Sequence, residues 1–431
     1  MRHRIKTLAL LIVLPFVITA CTVQDIPVIG GLIGGGGGTS DDPVTLTWWG
    51  LWESQEVIDQ LVAAYQTANP NVTIAYEDRS VLDVLSYKDR VYTRAVEPDS
   101  PDIMRVHNTW VKRMHANGFL SAMPSNLMDT STYNSTFYPV ASESAVINNQ
   151  IYGIPLFYDG LVLVYNKSHF NEIGQVEPPS AWEEFRRLAL ELTIRGGNRG
   201  NEVIRAGAAV GSADNVDHFP DILGLMWAQA GVSVPEDLSS KSAQDALTFY
   251  TNFLTEDKVW RADFPESVDA FVEGRVSMVF VPTWRILDIL KVMDDATIVG
   301  VAPVPQALAD NPANWGTFWM EVVPVGSQNQ PEAWKFLKFL TEQEQQLLMF
   351  SENSKARFFG SPYSRADLGN ELSTNPFLAP AVETAPTAKG VAEIAGRAGN
   401  NRQNTALGDA ISSVISGTSA KEALEQFKTE F

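Results

Sequence analysis

The chain has 431 residues, of which 45% are hydrophobic and 10% aromatic, and a formal net charge of −19. That length exceeds what one hydrophobic core normally serves, so two lobes are expected, and the composition is that of a folded globular protein rather than a disordered one. The acidic balance disfavours nucleic-acid backbones and anionic lipid headgroups, and a single cysteine rules out an internal disulfide or a cysteine-built zinc cage.

At the start, Arg2, Arg4 and Lys6 precede an apolar run that ends at Cys21. A basic start, an apolar stretch and small residues before a cleavage point make a secretory signal. The ending Ile18-Thr-Ala-Cys21 resembles the lipobox of bacterial lipoproteins. That resemblance implies removal of residues 1–20, a diacylglycerol on the Cys21 sulfur and a membrane tether through it. Left uncleaved, residues 7–20 would reach roughly 21 Å as a helix, against about 30 Å of hydrocarbon. Residues 21–43 read as the lipidated cysteine and a linker, with Gly30-Gly31 and Gly34 through Gly38. Such a segment buries too little apolar surface to fold. Its glycines lack the lysine and the strand-to-helix setting of a phosphate loop.

The folded body starts at Val44, where alternation and β-branching predict a strand to Trp49. Ser54 caps a predicted helix with Val57, Ile58, Leu61, Val62 and Tyr65 on one face, stopped by Asn69-Pro70. A strand over 72–76, a helix over 84–95, a strand over 101–106 and a helix from about Thr109 to Asn117 follow. This βαβαβα order predicts a mainly parallel sheet flanked by helices. Further strands are predicted over 160–165, 276–281 and 297–301. Ser180 and Glu183 read as a capping box for a helix over 182–194. Apolar periodicity predicts helices near 219–230 and 243–254, one long helix over 331–350, and a short last one over 421–427.

Several stretches together resemble the extracellular solute-binding proteins of ABC importers, in the carbohydrate-binding, maltose-binding-type branch. They include Leu46-Thr-Trp-Trp-Gly, Tyr65-Gln-Thr-Ala-Asn-Pro-Asn-Val-Thr-Ile74, Ser100-Pro-Asp-Ile103 and Asn117-Gly-Phe-Leu120. The run from Tyr152 to Lys167, Pro178-Pro-Ser-Ala-Trp-Glu-Glu-Phe185, Phe271-Val-Glu-Gly-Arg-Val-Ser-Met278 with Trp284, and Gly300-Val-Ala-Pro-Val-Pro305 continue the match. It closes with Ala333-Trp-Lys-Phe-Leu-Lys-Phe-Leu340 and Ser416-Gly-Thr-Ser-Ala-Lys-Glu-Ala-Leu424. The resemblance implies an α/β fold of two lobes, of the type II-like periplasmic-binding kind, with the ligand cleft between them. It implies crossings near 155–161 and 319–324, a first lobe of 44–155 plus about 283–320, and a second of about 160–282 plus 325–431. It also implies a monomer that hands a small carbohydrate to the permease subunits of an ABC transporter outside the cytoplasmic membrane, without a cofactor or a nucleic-acid partner.

A sugar offers hydroxyls at its edges and C–H groups on its faces, so candidates are aromatic planes and polar groups where strands or crossings end. Trp49, Trp52 and Glu53 sit at and after the end of the first strand, whereas Trp48 alternates toward the core. His107 and Asn108 end the third strand. Tyr158 and Asp159 lie in the first crossing, where the resemblance implies an acceptor for sugar hydroxyls. Trp284 matches the family's stacking tryptophan, and Trp315 and Trp319 flank the second crossing. Arg357 and Arg365 fall near a Pro-x-Arg element of relatives, but Ser361-Pro-Tyr-Ser-Arg365 has one residue too many. A late stacking aromatic of the family is missing, and Arg397, Asn400, Asn401 and Arg402 stand there instead. Trp182, Trp227 and Trp334 have helical spacing and read as packing residues.

A glycoside hydrolase would need two opposed carboxylates, and no local motif marks such a pair among 51 acidic residues. The histidines lack metal-ligand spacing, and there is no Gly-x-Ser-x-Gly turn. A non-catalytic binder is the reading favoured. A polyamine, an iron complex or glycerol phosphate are the alternative solutes, and a surface hydrolase is the enzymatic alternative.

Overall fold

The computed structural model describes residues 43–197, 201–390, 393–396 and 398–431. The expected signal segment, Cys21, the glycine-rich stretch up to residue 42 and Arg397 lie outside the described residues. Two sheets organise the rest. The first takes shape from β1 (Val44–Gly50), α1 (Gln55–Ala68), β2 (Val72–Asp78), α2 (Val84–Arg94) and β3 (Ile103–His107). Ser54 accepts the Val57 N–H at 3.3 Å and starts α1, whose Val57, Ile58, Leu61 and Tyr65 are buried. Asp83 starts α2 in the same way, accepting the Ser86 N–H at 2.9 Å. Every residue of β3 is buried, as expected for a strand covered on both faces.

The chain then forms β4 (Ile154–Pro155) in the first sheet and β5 (Leu161–Asn166) in the second, so residues 156–160 make the crossing. Beyond it come α3 (Trp182–Leu192), α4 (Phe219–Gln229) and α5 (Lys241–Thr255). Next are β6 (Met278–Pro282), α6 (Thr283–Val292), β7 (Val299–Ala302) and β8 (Trp319–Val322). The five-stranded sheet runs β2-β1-β3-β8-β4 and the three-stranded sheet β6-β5-β7. Within these two sheets, only β2-β1-β3 is parallel. Strand β8 runs antiparallel to both its neighbours, and the second sheet is antiparallel throughout. The parallel character expected from the βαβαβα start therefore stops where the chain first crosses.

The expected partition of the returning chain is corrected by the same pairings. Residues 283–302 belong with the second sheet, because β7 pairs with β5 and α6 packs on β5 and β6. Residues 319–322 belong with the first, because β8 pairs with β3. The helices after it, α7 (Gln330–Leu340) and α8 (Gln343–Ala356), pack on α1 of the first lobe. The short helix Ala379–Thr384 packs on β5 and β7 of the second sheet, and the last helices, α9 (Asn401–Ile415) and α10 (Ala420–Lys428), return to the second lobe against α5.

Two local departures have physical causes. The long helix over 331–350 is broken at Thr341, whose hydroxyl bonds back to the Lys338 carbonyl (2.6 Å), while Arg365 takes the Thr341 carbonyl freed at the break (2.9 Å). At α3 the cap is Ala181, one residue later than expected. The carboxylate that reaches back is Glu184, which accepts the N–H of Ser180, the residue before the cap, at 3.0 Å. Trp182, Trp227 and Trp334 are buried, as is Trp48.

Candidate functional site

A cleft of about 440 Å³ opens where the crossing segments meet the carboxyl ends of β1 and β3. Of the nine residues proposed for it from the sequence, six line it: Trp52, Glu53, Tyr158, Asp159, Trp284 and Trp319.

On the first-lobe side the turn after β1 projects Trp52, which is 52% exposed and whose backbone adopts φ +59°. That left-handed conformation is unusual for a bulky side chain. Its N–H is held by the Ser80 hydroxyl at 2.6 Å. The Trp52 ring meets Trp319 edge to face, with centroids 5.1 Å apart, and Trp319 in turn rests on His107 and Trp110, each at 5.3 Å. His107 lines the same wall, and burial pulls its imidazole down to about 3, so it is neutral.

Behind that wall lies a buried charge network. Arg105 Nε donates to Glu321 Oε1 at 2.7 Å, and Nη1 donates to the Leu51 carbonyl at 2.8 Å and to Glu53 Oε1 at 3.2 Å. Glu321 Oε2 also accepts the Trp48 indole N–H at 3.1 Å, and Glu53 Oε2 accepts Asn353 Nδ2 at 3.3 Å. Burial works against the Arg105 cation, but the Glu321 and Glu53 charges more than restore it. Glu53 thus lines the cleft with its charge already matched.

The crossing supplies Phe157, Tyr158 and Asp159. Arg105 lies over the Phe157 ring at 5.0 Å. Tyr158 fits only because its ring packs against two glycines. A Cβ on Gly160 would lie 2.8 Å from its hydroxyl, and one on Gly316 would lie 2.9 Å from the ring. Asp159 accepts the Thr283 N–H at 2.7 Å and the Thr283 hydroxyl, which ties the crossing to the start of α6. Burial pushes its carboxyl up to about 7. The Thr283 bonds oppose that rise, and the nearby Asp221 charge adds to it.

On the second-lobe side α6 presents Trp284, which is 40% exposed and has His218 at its edge, 6.1 Å away. Asp221, on α4, is fixed by the Trp315 indole N–H (3.0 Å) and the Gly396 N–H (2.7 Å). The floor is closed by the loop after α8, with Arg357, Phe359 and Ser361.

Three of the nine do not reach the cleft. Trp49 is 7% exposed, with Arg79 stacked 4.4 Å from its ring, because both faces of the inner strand β1 are covered. Asn108 is 1% exposed and serves the scaffold. Its amide donates to Ser144 Oγ (3.1 Å) and the Gly390 carbonyl (3.0 Å), and its oxygen accepts the Phe318 N–H (3.2 Å). Trp315 is buried behind Asp221 and orients it. Arg365 pairs with Asp367 and lies off the cleft. Asn400 bonds Thr109 and Lys88, and Arg402 pairs with Glu430.

Sequence reasoning passed over Arg105, Phe157, Asp221, Thr283 and Phe359. Arg105 did carry a signal: it is a charge inside the apolar strand Ile103-Met-Arg-Val, matched by Glu321 inside Met320-Glu-Val-Val. Asp221 sits in the first turn of a helix and reads there as an ordinary helix-start acid.

The sequence and the fold both have known relatives. The profile of the family described as bacterial extracellular solute-binding protein matches residues 50–347, more than half of the chain. The maltotriose-binding protein of Pyrococcus abyssi is 21% identical over 294 residues, covering 66% of this chain and 59% of that protein. The multiple sugar-binding protein of Streptococcus mutans is 20% identical over 320 residues, covering 70% and 72%. Among solved structures, the sugar-binding protein MalE from Xanthomonas citri superposes with a TM-score of 0.72 at 16% identity, covering 89% of this chain and 95% of that one. A match over most of the folded body, two sheets joined by crossing segments and a cleft at the crossing place the chain in the bacterial extracellular solute-binding protein family.

Proposed function

We propose that this protein is a receptor that captures a sugar or short oligosaccharide and delivers it, unaltered, to the permease of an ABC importer. The observation that carries this is the cleft wall. Trp52 and Trp319 on one lobe and Trp284 on the other present aromatic surface to a shared space, with the Asp159 carboxylate at the crossing between them. Aromatic faces take the C–H surfaces of a sugar ring, and carboxylates accept its hydroxyls. Relatives whose names record maltotriose and multiple sugars support the same class. Trp52, Glu53, Tyr158, Asp159, Trp284 and Trp319 are the ligand-binding set in this reading. The lobes close over the ligand by bending at the crossing segments, and the closed monomer docks on the permease. Cys21 carries the lipid that tethers it outside the cytoplasmic membrane.

The test is calorimetry and thermal shift across mono- and oligosaccharides, with chromatography of the recovered sugar. Saturable binding with intact sugar is expected. Cleavage products would replace the receptor by a hydrolase, and a response to polyamines alone would replace the sugar by a cation. Metabolic labelling of cells with a fatty acid tests the tether, since a Cys21→Ala variant is expected to lose the label.

A further inference from the structure

Resting on the sugar-receptor reading above, we infer that the Arg105 and Arg357 guanidinium groups form a donor floor for uncharged ligand oxygens, and that the carboxylates around them shut out ligands bearing a carboxylate or phosphate. Arg105 lines the cleft yet is only 1% exposed. Its Nε and Nη1 are fully committed to Glu321, Leu51 and Glu53, but its buried Nη2 has no partner among the described residues. A buried N–H left unpaired is costly, so an acceptor oxygen brought by the ligand is favoured there. Arg357 stands at the same floor. Its Nη2 donates to Ser361 Oγ at 3.0 Å, its Nε has no partner, and among the described residues it has no carboxylate within ion-pair distance.

Two guanidinium groups would ordinarily suggest an anionic ligand. The charge around them argues otherwise. Glu321 and Glu53 already bond Arg105, and although burial pulls the Arg357 guanidinium down, the Glu53 charge opposes that fall, so two carboxylates stand against two guanidinium groups. Asp159, Asp221 and Asp288 face the same space; Asp288 is paired with Arg285 at 2.7 Å and Asp221 has His218 Nδ1 at 3.4 Å, whereas Asp159 has no lysine, arginine or histidine within ion-pair distance among the described residues. A ligand carboxylate would add an unmatched negative charge to a poorly solvated cleft, whereas a hydroxyl, ring or glycosidic oxygen accepts the same N–H groups without one.

The experiment uses the wild-type protein and matched pairs of sugars: glucose with glucuronate, galactobiose with digalacturonate, and maltotriose with its terminal uronate, each by calorimetry at low and high salt. The neutral member of the binding pair is expected to bind roughly ten-fold tighter or more, with an affinity that changes less than about two-fold with salt. An acidic member that binds equally or better overturns the inference and leaves the sugar-receptor reading standing. No response to either member of any pair removes both. Arg105→Lys keeps the charge but loses the forked donors, and is expected to weaken the same neutral sugar roughly ten- to a hundred-fold. Unchanged affinity removes Arg105 from the floor. Should that variant not fold, nitrogen NMR of the wild-type guanidinium groups decides instead. Hydrogen exchange at Arg105 is expected to slow with saturating sugar, and an unchanged rate overturns its role.

Discussion

Removing the Trp284 indole by Trp284→Ala tests the site at its most isolated plate. Trp284 is 40% exposed on the second position of α6 and lines the cleft, with the His218 ring steeply inclined to it at 6.1 Å and the Arg285 guanidinium over its ring at 5.6 Å. A tryptophan presents up to about 250 Å², so about 100 Å² remains for a ligand to cover. At about 25 cal/mol per Å², full coverage contributes about 2.5 kcal/mol, and coverage of less than half that face about 1 kcal/mol. Affinity should therefore fall roughly five- to seventy-fold. The fold should not suffer, since alanine is the better helix former and most of what is lost was solvent-facing. Calorimetry with the best sugar from the panel gives the affinity, and a urea melt of the ligand-free variant gives the stability. Unchanged affinity in a folded variant would refute stacking at Trp284. Loss of the folded state would show that its buried edge, and not the ligand, explains its place.

Asp159→Asn should change how stability depends on pH. The folded carboxyl is pushed up to about 7 by burial while an unfolded aspartate titrates near 3.9. Between those values the folded form holds the extra proton, so wild-type stability falls as pH rises through that window. Urea midpoints from pH 4 to 8 should show that slope flattened in the variant, and an identical slope would refute the buried carboxyl. Asn108→Ala should cost about 1–3 kcal/mol of stability by orphaning the Phe318 N–H, yet leave the affinity of the folded fraction unchanged. A large affinity loss without destabilisation would return Asn108 to the ligand. Gly316→Ala forces a methyl to 2.9 Å from the Tyr158 ring and should destabilise by about 1–3 kcal/mol in a denaturant melt. Wild-type stability there would mean that the crossing segments are not in tight contact.

What the sequence revealed was local. Alternation in Val44–Gly50, the Ser54 cap and the Asn69-Pro70 stop place β1 and α1 correctly, because those signals act within a few residues. Which sheet a later strand joins depends on partners far along the chain. Val299–Ala302 and Trp319–Val322 are both short apolar strands, and nothing in either says that one pairs with β5 and the other with β3. The same blindness misplaced Trp49. Alternation turns it away from Trp48, and on an outer strand that would mean solvent, but β1 is an inner strand and Arg79 covers the second face. Trp52 was legible for the converse reason: it lies beyond the strand end, where no sheet could bury it.

The buried network explains why the Trp52 plate stands where it does. A residue as bulky as tryptophan at φ +59° is strained, and such strain persists only where the surroundings over-determine it. Here the constraints come from both sides of the residue. Leu51 gives its carbonyl and Glu53 its carboxylate to a single guanidinium, Arg105, which is itself fixed to β8 through Glu321. The Trp52 N–H is held by Ser80, whose hydroxyl and N–H both donate to Asp78 at the end of β2. Three strands of the first sheet thus position one exposed ring before any ligand arrives. A plate fixed in advance loses little freedom on binding, so its contact surface goes into affinity rather than into ordering a loop.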